Sequence, residues 1–483
     1  MDISTGCRQG IVPPYLLRQL ALSTDEALAV PARTSLLIDD GYRRRRDPLT
    51  GVRPPTPRAA VPQADDGTGP RRTISDAGRT TELPGLEVRG EGAPATGDAA
   101  CDEAYDGLGA TWALFSEVYG RDSLDDAGLP LDATVHYGVD YDNAFWDGSR
   151  MVFGDGDGRV FGRFTQAVDV IGHELTHGAT EKAAALVYRR QSGALNESVS
   201  DVFGSLVKQR LLGQDAATAD WLIGAGLFAA GVQGVALRSM KAPGTAYDDP
   251  VLGRDPQPAT MAGYVETDDD NGGVHINSGI PNHAFHLAAI ALGGRAWDGV
   301  GHVWYDVLTG GELAADADFV AFARLTVQAA VRRFGQGSEQ AAAVSSAWDQ
   351  VGVRAGAPAV PVLTAPAADP LDDPEHQHEN HQHQHDHGHE PASAVLKVGR
   401  SGGVTGLRLE RELTLAELPA EQADQWLTLA RSGVLQGLQQ PDPAADRYVY
   451  RVWSPDLGLD VVTGEQALPP GVRDTLEQTL RPL

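Results

Sequence analysis

The sequence predicts an α+β protein in which a β-rich segment precedes a longer helical one and a second, smaller α+β domain follows near the C-terminus. Three observations predict it. Between residue 73 and about 158, short apolar runs are broken by Gly and Asp, as in Thr134-Val135-His136-Tyr137-Gly138-Val139 and Met151-Val152-Phe153, which is the pattern of strands and turns. From Phe164 onward the apolar spacing becomes helical: Val168, Ile171 and Leu175, then Val199, Val202, Phe203, Leu206 and Val207, then 285–292 and 319–334. After a Pro- and His-rich interruption at 357–393, strand and helix patterns return at 394–399, 407–413, 419–431 and 448–453, with a turn at Ser401-Gly402-Gly403.

A chain of 483 residues exceeds one ordinary core, so several folded units are expected. The divisions read as a leader at 1–55, an exposed Pro-, Gly- and Arg-rich linker at 56–72, a β-rich lobe at 73–163, a helical lobe at 164–356, a linker at 357–393 and the small domain at 394–483. The formal charge of -27 repels nucleic acid and anionic membranes, so neither is an expected partner. Two cysteines, Cys7 and Cys101, cannot build a disulfide framework. The first ten residues lack an apolar core and no run of about 18 apolar residues occurs. The expectation is neither a signal peptide nor a membrane span, and a protein that is cytoplasmic or secreted by another route.

The chemistry sits at Asp169-Val170-Ile171-Gly172-His173-Glu174-Leu175-Thr176-His177. Four-residue spacing puts both imidazoles on one helical face with Glu174 beside them, an arrangement that can grip zinc. A catalytic zinc takes three protein ligands and leaves a position for water. On the following helical pattern, Leu195-Asn196-Glu197-Ser198-Val199-Ser200-Asp201, Glu197 supplies the third ligand and Asp201 accepts the free N–H of a ligand histidine. Taken alone, an HExxH also fits a solvated helix face. Downstream, Asp270 and His275 flank the Gly-rich Asn271-Gly272-Gly273, which fits either an imidazole steadied as a donor or a structural turn.

Further stretches carry a resemblance: Asn143-Ala144-Phe145-Trp146, Gly154-Asp155-Gly156-Asp157-Gly158, the HELTH helix, Gly193-Ala194-Leu195-Asn196-Glu197 and the HINSGIPN segment. From about 73 to 356 the chain resembles the thermolysin family of neutral zinc metallopeptidases. The resemblance implies a two-lobed fold, with a β-rich N-lobe, an α-helical C-lobe and one catalytic zinc in the cleft. Position by position it makes His173, His177 and Glu197 the ligands, Asp201 and Asn196 the partners of the two histidines, and Glu174 the general base. It makes Tyr188 and His275 donors to the tetrahedral oxyanion, with Asp270 orienting His275. Asn143 and Ala144 correspond to the edge that pairs with the backbone of a protein or peptide substrate, and Arg238 to the residue that binds the carbonyl after the cut. Val170 and Leu237 correspond to an apolar pocket, implying cleavage before Leu, Phe, Ile or Val; both also suit ordinary core packing.

The sequence departs from the family at the double calcium site. Lys208 stands where a carboxylate is expected, and although Asp169 matches another member of that set, one carboxylate cannot coordinate six to eight oxygens, so the double site is expected to be absent. The leader, with Cys7 followed by Ile11-Val12-Pro13-Pro14-Tyr15-Leu16-Leu17, resembles the short propeptide of the protealysin-like branch and implies a zymogen. Cys7 fits either a propeptide thiolate on zinc or a packed thiol. The segment 375–390 holds seven of the 14 histidines and fits metal delivery or a solvated tether.

The run Leu396-Lys397-Val398-Gly399-Arg400-Ser401-Gly402-Gly403-Val404-Thr405-Gly406-Leu407 resembles the start of emfourin, a small proteinaceous inhibitor of protealysin-type peptidases. It implies an intramolecular inhibitor-like domain, against which stands a plain hairpin in an unrelated module. Two functional classes follow: an active endopeptidase made as a restrained precursor, and an idle zinc protein that presents its tail module. The filled catalytic positions favour the first.

Overall fold

The computed structural model describes residues 10–45 and 69–354, then 395–402, 409–418, 448–454, 459–464 and isolated positions near these. Cys7, the histidine-rich segment and most of the helix expected at 419–431 lie outside the described residues. The chain divides into two units, Met1–Thr364 and Ala365–Leu483.

In the first unit, five strands form the sheet of the N-lobe: β1 (Arg72–Asp76), β2 (Leu86–Gly90), β3 (Leu131–Val135), β4 (Ala144–Trp146) and β5 (Met151–Phe153). Their order is β2-β1-β3-β5-β4, with β1, β3 and β5 parallel and both edge strands antiparallel to their neighbours. Edge strand β4 therefore keeps one row of backbone groups for another chain segment. The lobe is not made of strands alone. Helix α3 (Ala99–Ala113) crosses it, started by Asp98, whose carboxylate accepts from the Cys101 amide at 3.0 Å. Short apolar runs hid it in the sequence, because Gly107 interrupts its buried face. That glycine is required: a Cβ there would lie 2.3 Å from Ile171 Cδ1 on the next helix.

The C-lobe begins with α4 (Val168–Ala183) and α5 (Arg190–Leu212), followed by the two-residue strands β6 (Leu222–Ile223), β7 (Arg238–Ser239), β8 (Asp248–Asp249) and β9 (Gly253–Arg254). Then come α6 (Asp270–Asn277), α7 (Gly279–Leu292), α8 (Val300–Thr309), α9 (Phe319–Phe334) and α10 (Glu339–Gln350). Asp318 and Ser338 cap α9 and α10, and Trp304 stacks on Trp348 at 6.1 Å between helices α8 and α10. The HELTH helix α4 and the glutamate helix α5 approach through glycines. At Gly204 an added Cβ would sit 2.4 Å from the Asp169 carbonyl and 3.0 Å from the His173 nitrogen, and Gly172 faces the Gly204 backbone.

The leader folds onto this unit as α1 (Pro14–Ala21) and α2 (Glu26–Arg45). Pro14 opens α1, where its missing N–H costs nothing. Ile11, Val12, Leu16, Leu17 and Leu20 are buried in the main core, each worth roughly 1.5–3 kcal/mol relative to exposure.

The second unit is an antiparallel sheet, β10 (Val395–Gly402), β11 (Leu409–Thr414), β12 (Tyr448–Ser454) and β13 (Leu459–Gly464), in the order β11-β10-β12-β13. Ser401 and Gly402 continue β10, paired with Val449 and Tyr448, instead of turning. Its core is its own: Leu396, Val398, Trp426, Tyr450, Val452 and Leu476. Among the described residues no helix is long and apolar enough to cross a membrane.

Because α4 and α5 carry the candidate ligands, their spacing is a stability and a site constraint together. Gly204→Ala is expected to cost about 1–3 kcal/mol by overpacking, lowering the calorimetric melting temperature, and to reduce zinc retained after dialysis; unchanged values for both would show that the helices can part freely.

Candidate metal centre and substrate cleft

Helix α4 brings His173 and His177 to one face and α5 sets Glu197 opposite. His173 Nε2 lies 3.5 Å from one Glu197 oxygen and His177 Nε2 lies 3.4 Å from the other, while the two Nε2 atoms face each other at 3.0 Å. Each ring is turned by its other nitrogen: His173 Nδ1 donates to Asp201 Oδ1 at 2.8 Å and His177 Nδ1 to Asn196 Oδ1 at 2.8 Å. Both Nε2 atoms consequently present lone pairs to a common point. Burial pulls both imidazoles down to about 4, against the opposing pull of Asp201 on His173 and of Asn196 on His177, so they are neutral at neutral pH. Glu197 Oε2 is buried without a hydrogen-bond donor. Converging lone pairs and an orphaned carboxylate oxygen fit a cation, and the donor set of two imidazoles and one carboxylate fits zinc.

Glu174 is fully buried on the same helix, with Oε2 accepting from the Trp146 amide of β4 at 3.0 Å and Oε1 without a partner. Burial first, and the Glu197 charge second, raise its carboxyl well above the usual range. Such a group holds a proton readily.

Tyr188 donates its hydroxyl to Glu197 and lies 3.3 Å from His275 Nε2. Asp270 grips His275 twice, through Nδ1 at 2.6 Å and the backbone amide at 2.9 Å. Burial opposes the His275 cation, but the Asp270 and Glu197 charges outweigh it and raise its pKa. The Gly-rich turn makes this grip possible: Asp270, Asn271, Gly272 and Gly273 all have positive φ, and a Cβ at Gly272 would lie 2.6 Å from Arg190 Cγ.

Arg238 on β7 forms a bidentate pair with Asp201, Nε to Oδ2 and Nη2 to Oδ1, both at 2.8 Å. Asn282 of α7 adds a bond to Asp201 Oδ2 at 2.8 Å. The sequence reading did not assign Asn282 or the Asp201–Arg238 pair. Asn282 lies inside the HINSGIPN run and could have been suspected, whereas the pairing of residues 201 and 238 has no local signal. Asn143 and Ala144 stand on the cleft side at β4, and Val170 and Leu237 are buried in the same apolar cluster as Ile11.

The leader segment meets Asn143, Ala144 and Arg238 beside these residues. The Ile11 amide donates to the Ala144 carbonyl at 3.0 Å, the Val12 amide to Asn143 Oδ1 at 3.0 Å, and Arg238 Nη1 donates to the Ile11 carbonyl at 3.1 Å. Between α5 and the start of α4, Lys208 Nζ is held by Asp169 at 2.7 Å, Asp220 at 2.9 Å and the Leu222 carbonyl at 2.6 Å.

The chain matches the thermolysin metallopeptidase catalytic domain at residues 79–181 and the thermolysin metallopeptidase alpha-helical domain at 184–353, with emfourin at 398–480. It is 53% identical over 349 residues to the extracellular metalloprotease of Pectobacterium carotovorum subsp. carotovorum, covering 71% of this chain and 96% of that one. It is 46% identical over 364 residues to protease PrtS of Photorhabdus sp. (strain Az29), covering 73% and 94%. Among solved structures, the precursor of protealysin from Serratia proteamaculans aligns with a TM-score of 0.65 and 52% identity, covering 71% of this chain and 99% of that one. The chain therefore belongs to the thermolysin family of metallopeptidases, as a zinc metalloendopeptidase with an emfourin domain in its C-terminal part.

Proposed function

We propose that this endopeptidase cuts before bulky apolar residues and is made as a precursor restrained by its leader and by its emfourin domain. The observation that carries the reading is the register of the leader on β4. With Arg238 bonded to the Ile11 carbonyl, Ile11 takes the place of the residue that follows the cut, buried in the apolar core that also holds Val170 and Leu237, and the Gly10–Ile11 bond takes the place of the scissile bond. An extended substrate would use the same donors and acceptors. On the side before the cut the leader's path differs from a substrate's, because a Cβ at residue 10 would meet the Ala144 carbonyl at 2.2 Å and only glycine can follow it.

In the active form His173, His177 and Glu197 hold the metal, with Asp201 and Asn196 fixing the imidazoles. Zinc, when bound, polarises the substrate carbonyl and makes water a stronger acid. Glu174 takes the proton of the attacking water and passes it to the leaving amine. Tyr188 and His275 donate to the oxygen on which charge develops, and Asp270 keeps His275 aimed. Glu174→Ala in leader-free protein should lose roughly 10²–10⁴ in rate with zinc content unchanged. Peptide mapping of casein digests should place Leu, Phe, Ile or Val after the cut; activity surviving in Glu174→Ala, or cuts indifferent to that residue, would refute the assignment.

The domain divisions 1–55, 56–72, 73–163, 164–356, 357–393 and 394–483 are the working boundaries of this scheme, with Cys7 a candidate propeptide ligand. Extracellular relatives favour an exported enzyme over a cytoplasmic one. For restraint, four proteins separate the contributions: full length, full length with Ile11→Asp, leader-free, and leader-free ending at residue 366. Ile11→Asp should shorten the lag before activity appears. The last protein should be faster than its tailed counterpart and slowed again by residues 394–483 added at micromolar concentration, because a tether supplies roughly millimolar effective concentration. Equal lags would remove the leader's role, and equal rates with no effect of added domain would remove the tail's.

The double calcium site is absent in this reading, its place filled by the Lys208 ammonium against Asp169 and Asp220. Calcium or a calcium-selective chelator should leave the melting temperature of the leader-free peptidase unchanged, whereas Lys208→Met should lower stability by about 3–5 kcal/mol by stranding Asp169. A rise with calcium that Asp169→Asn abolishes would overturn it, whereas a rise that survives it marks a single site elsewhere.

A further inference from the structure

We propose that Asp98, Cys101 and His136 form a second metal site, in the N-lobe, for a thiophilic divalent cation such as zinc. Asp98 caps α3, Cys101 lies one turn into that helix, and His136 directly follows β3. Among the described residues these three are one of two groups able to hold a metal, their ligand atoms all within 4.8 Å of one another. The other is the catalytic centre.

The orientation of His136 is what singles the cluster out. Both oxygens of Asp155 contact its Nδ1, at 2.9 and 3.0 Å, so Nδ1 carries a hydrogen and Nε2 is the nitrogen turned towards Asp98, as in carboxylate–histidine–zinc arrangements. Nε2 lies 3.3 Å from Asp98 Oδ1. Burial opposes the imidazolium, but Asp155 and Asp98 raise the His136 pKa, so a proton on Nε2 bridges the two atoms in the metal-free protein and a metal cation would take its place. With zinc–ligand bonds of about 2.0–2.2 Å, the N···O edge of a tetrahedron is about 3.4 Å, close to the observed separation. His136 also holds φ of 53°, a left-handed conformation costly for a residue with a side chain, which keeps the ring in this position.

Surrounding charge and access agree. Burial and the charges of Asp98, Asp76 and Asp102 push the Cys101 thiol up to about 12, so an entering cation, which those same charges attract, must displace its proton, and the nearby Arg163 is engaged by Glu103. The Cys101 thiol is buried and unpaired in any disulfide, while the Asp98 side chain is 47% exposed, so a cation enters from solvent with water completing its shell. One sulfur, one nitrogen and one oxygen donor suit zinc and disfavour calcium. On binding, the Cys101 S–H and His136 Nε2–H bonds break, both protons leave to solvent, and the freed electron pairs form the S–metal and N–metal bonds. The bound ion would tie the start of α3 to the exit of β3 and, through Asp155, to the turn after β5.

Cobalt(II) tests this in full-length protein carrying Cys7→Ser, which leaves Cys101 as the single thiol, and Glu174→Ala, which prevents self-cleavage. Neither the catalytic ligands nor the histidine-rich segment contains sulfur, so thiolate-to-cobalt charge-transfer absorption reads this site alone. The expected result is a signal saturating at one equivalent per chain, abolished by adding Cys101→Ser. Asp155→Asn should weaken binding roughly 10–100-fold. Asp98→Asn should weaken it while sparing the fold, since Asn caps a helix as well as Asp. No charge-transfer signal from folded protein at saturating cobalt, or equal affinity in Asp98→Asn and Asp155→Asn, would overturn the site and leave His136 as an imidazolium between two carboxylates.

Discussion

One buried carboxylate organises the catalytic lobe. Asp201 is fully buried on α5, where an unpaired charge would cost several kcal/mol. It is instead matched by the His173 ring N–H, two Arg238 N–H groups and the Asn282 amide. These partners come from α4, β7 and α7, so satisfying one charge fixes the relative positions of four elements. The attraction to Arg238 and His173 outweighs burial and holds the Asp201 carboxyl well below its usual range. That permanent charge keeps His173 turned with Nε2 towards the metal position.

Around this satisfied hub lies a set of groups the polypeptide leaves unsatisfied. Glu197 Oε2 and Glu174 Oε1 have no donor, and two imidazole nitrogens face each other. Buried orphans are usually costly, and each of these is a place where a ligand completes what the chain does not. The lobe therefore invests its strong pairings in orientation and reserves its deficits for chemistry. Close helix contact supports the division: with Gly204 against the Asp169 carbonyl, the two ligand helices are held at a fixed, short separation.

The parts legible in sequence were those whose chemistry is local. Four-residue spacing places His173 and His177 on one face, and the same period places Glu197 and Asp201, so a metal ligand set could be read from two short runs. Asp270 and His275 were legible for a similar reason, with the intervening glycines marking the positive φ that lets the carboxylate turn back. Helix α3 was not, because Gly107 and Gly109 dilute its periodicity, and Gly107 is explained only by Ile171 of another helix. The Asp201–Arg238 pair joins residues 37 apart, and the leader meets β4 across 131 residues. Nothing local encodes either contact. The strand pattern at 394–399 was legible, but its continuation through Ser401 and Gly402 depends on pairing with β12.

Edge strand β4 links fold to function. Its inner edge pairs with β5 through Ala144, Phe145 and Trp146, and its backbone also gives the Trp146 amide to Glu174. The Ala144 carbonyl and the Asn143 side chain remain for an extended segment. An edge that accepts substrate also accepts any chain of suitable register, which is the aggregation hazard of exposed edges. The leader meets that hazard with the same hydrogen bonds that substrate needs, adding Tyr141 and Asn143 contacts to Asp39 and an Asp142 amide contact to Ser35 farther along. Substrate lacks those added contacts. In the proposed scheme a covalently attached leader outcompetes it without any stronger interaction at the cleft itself, and cutting the attachment changes the balance through concentration.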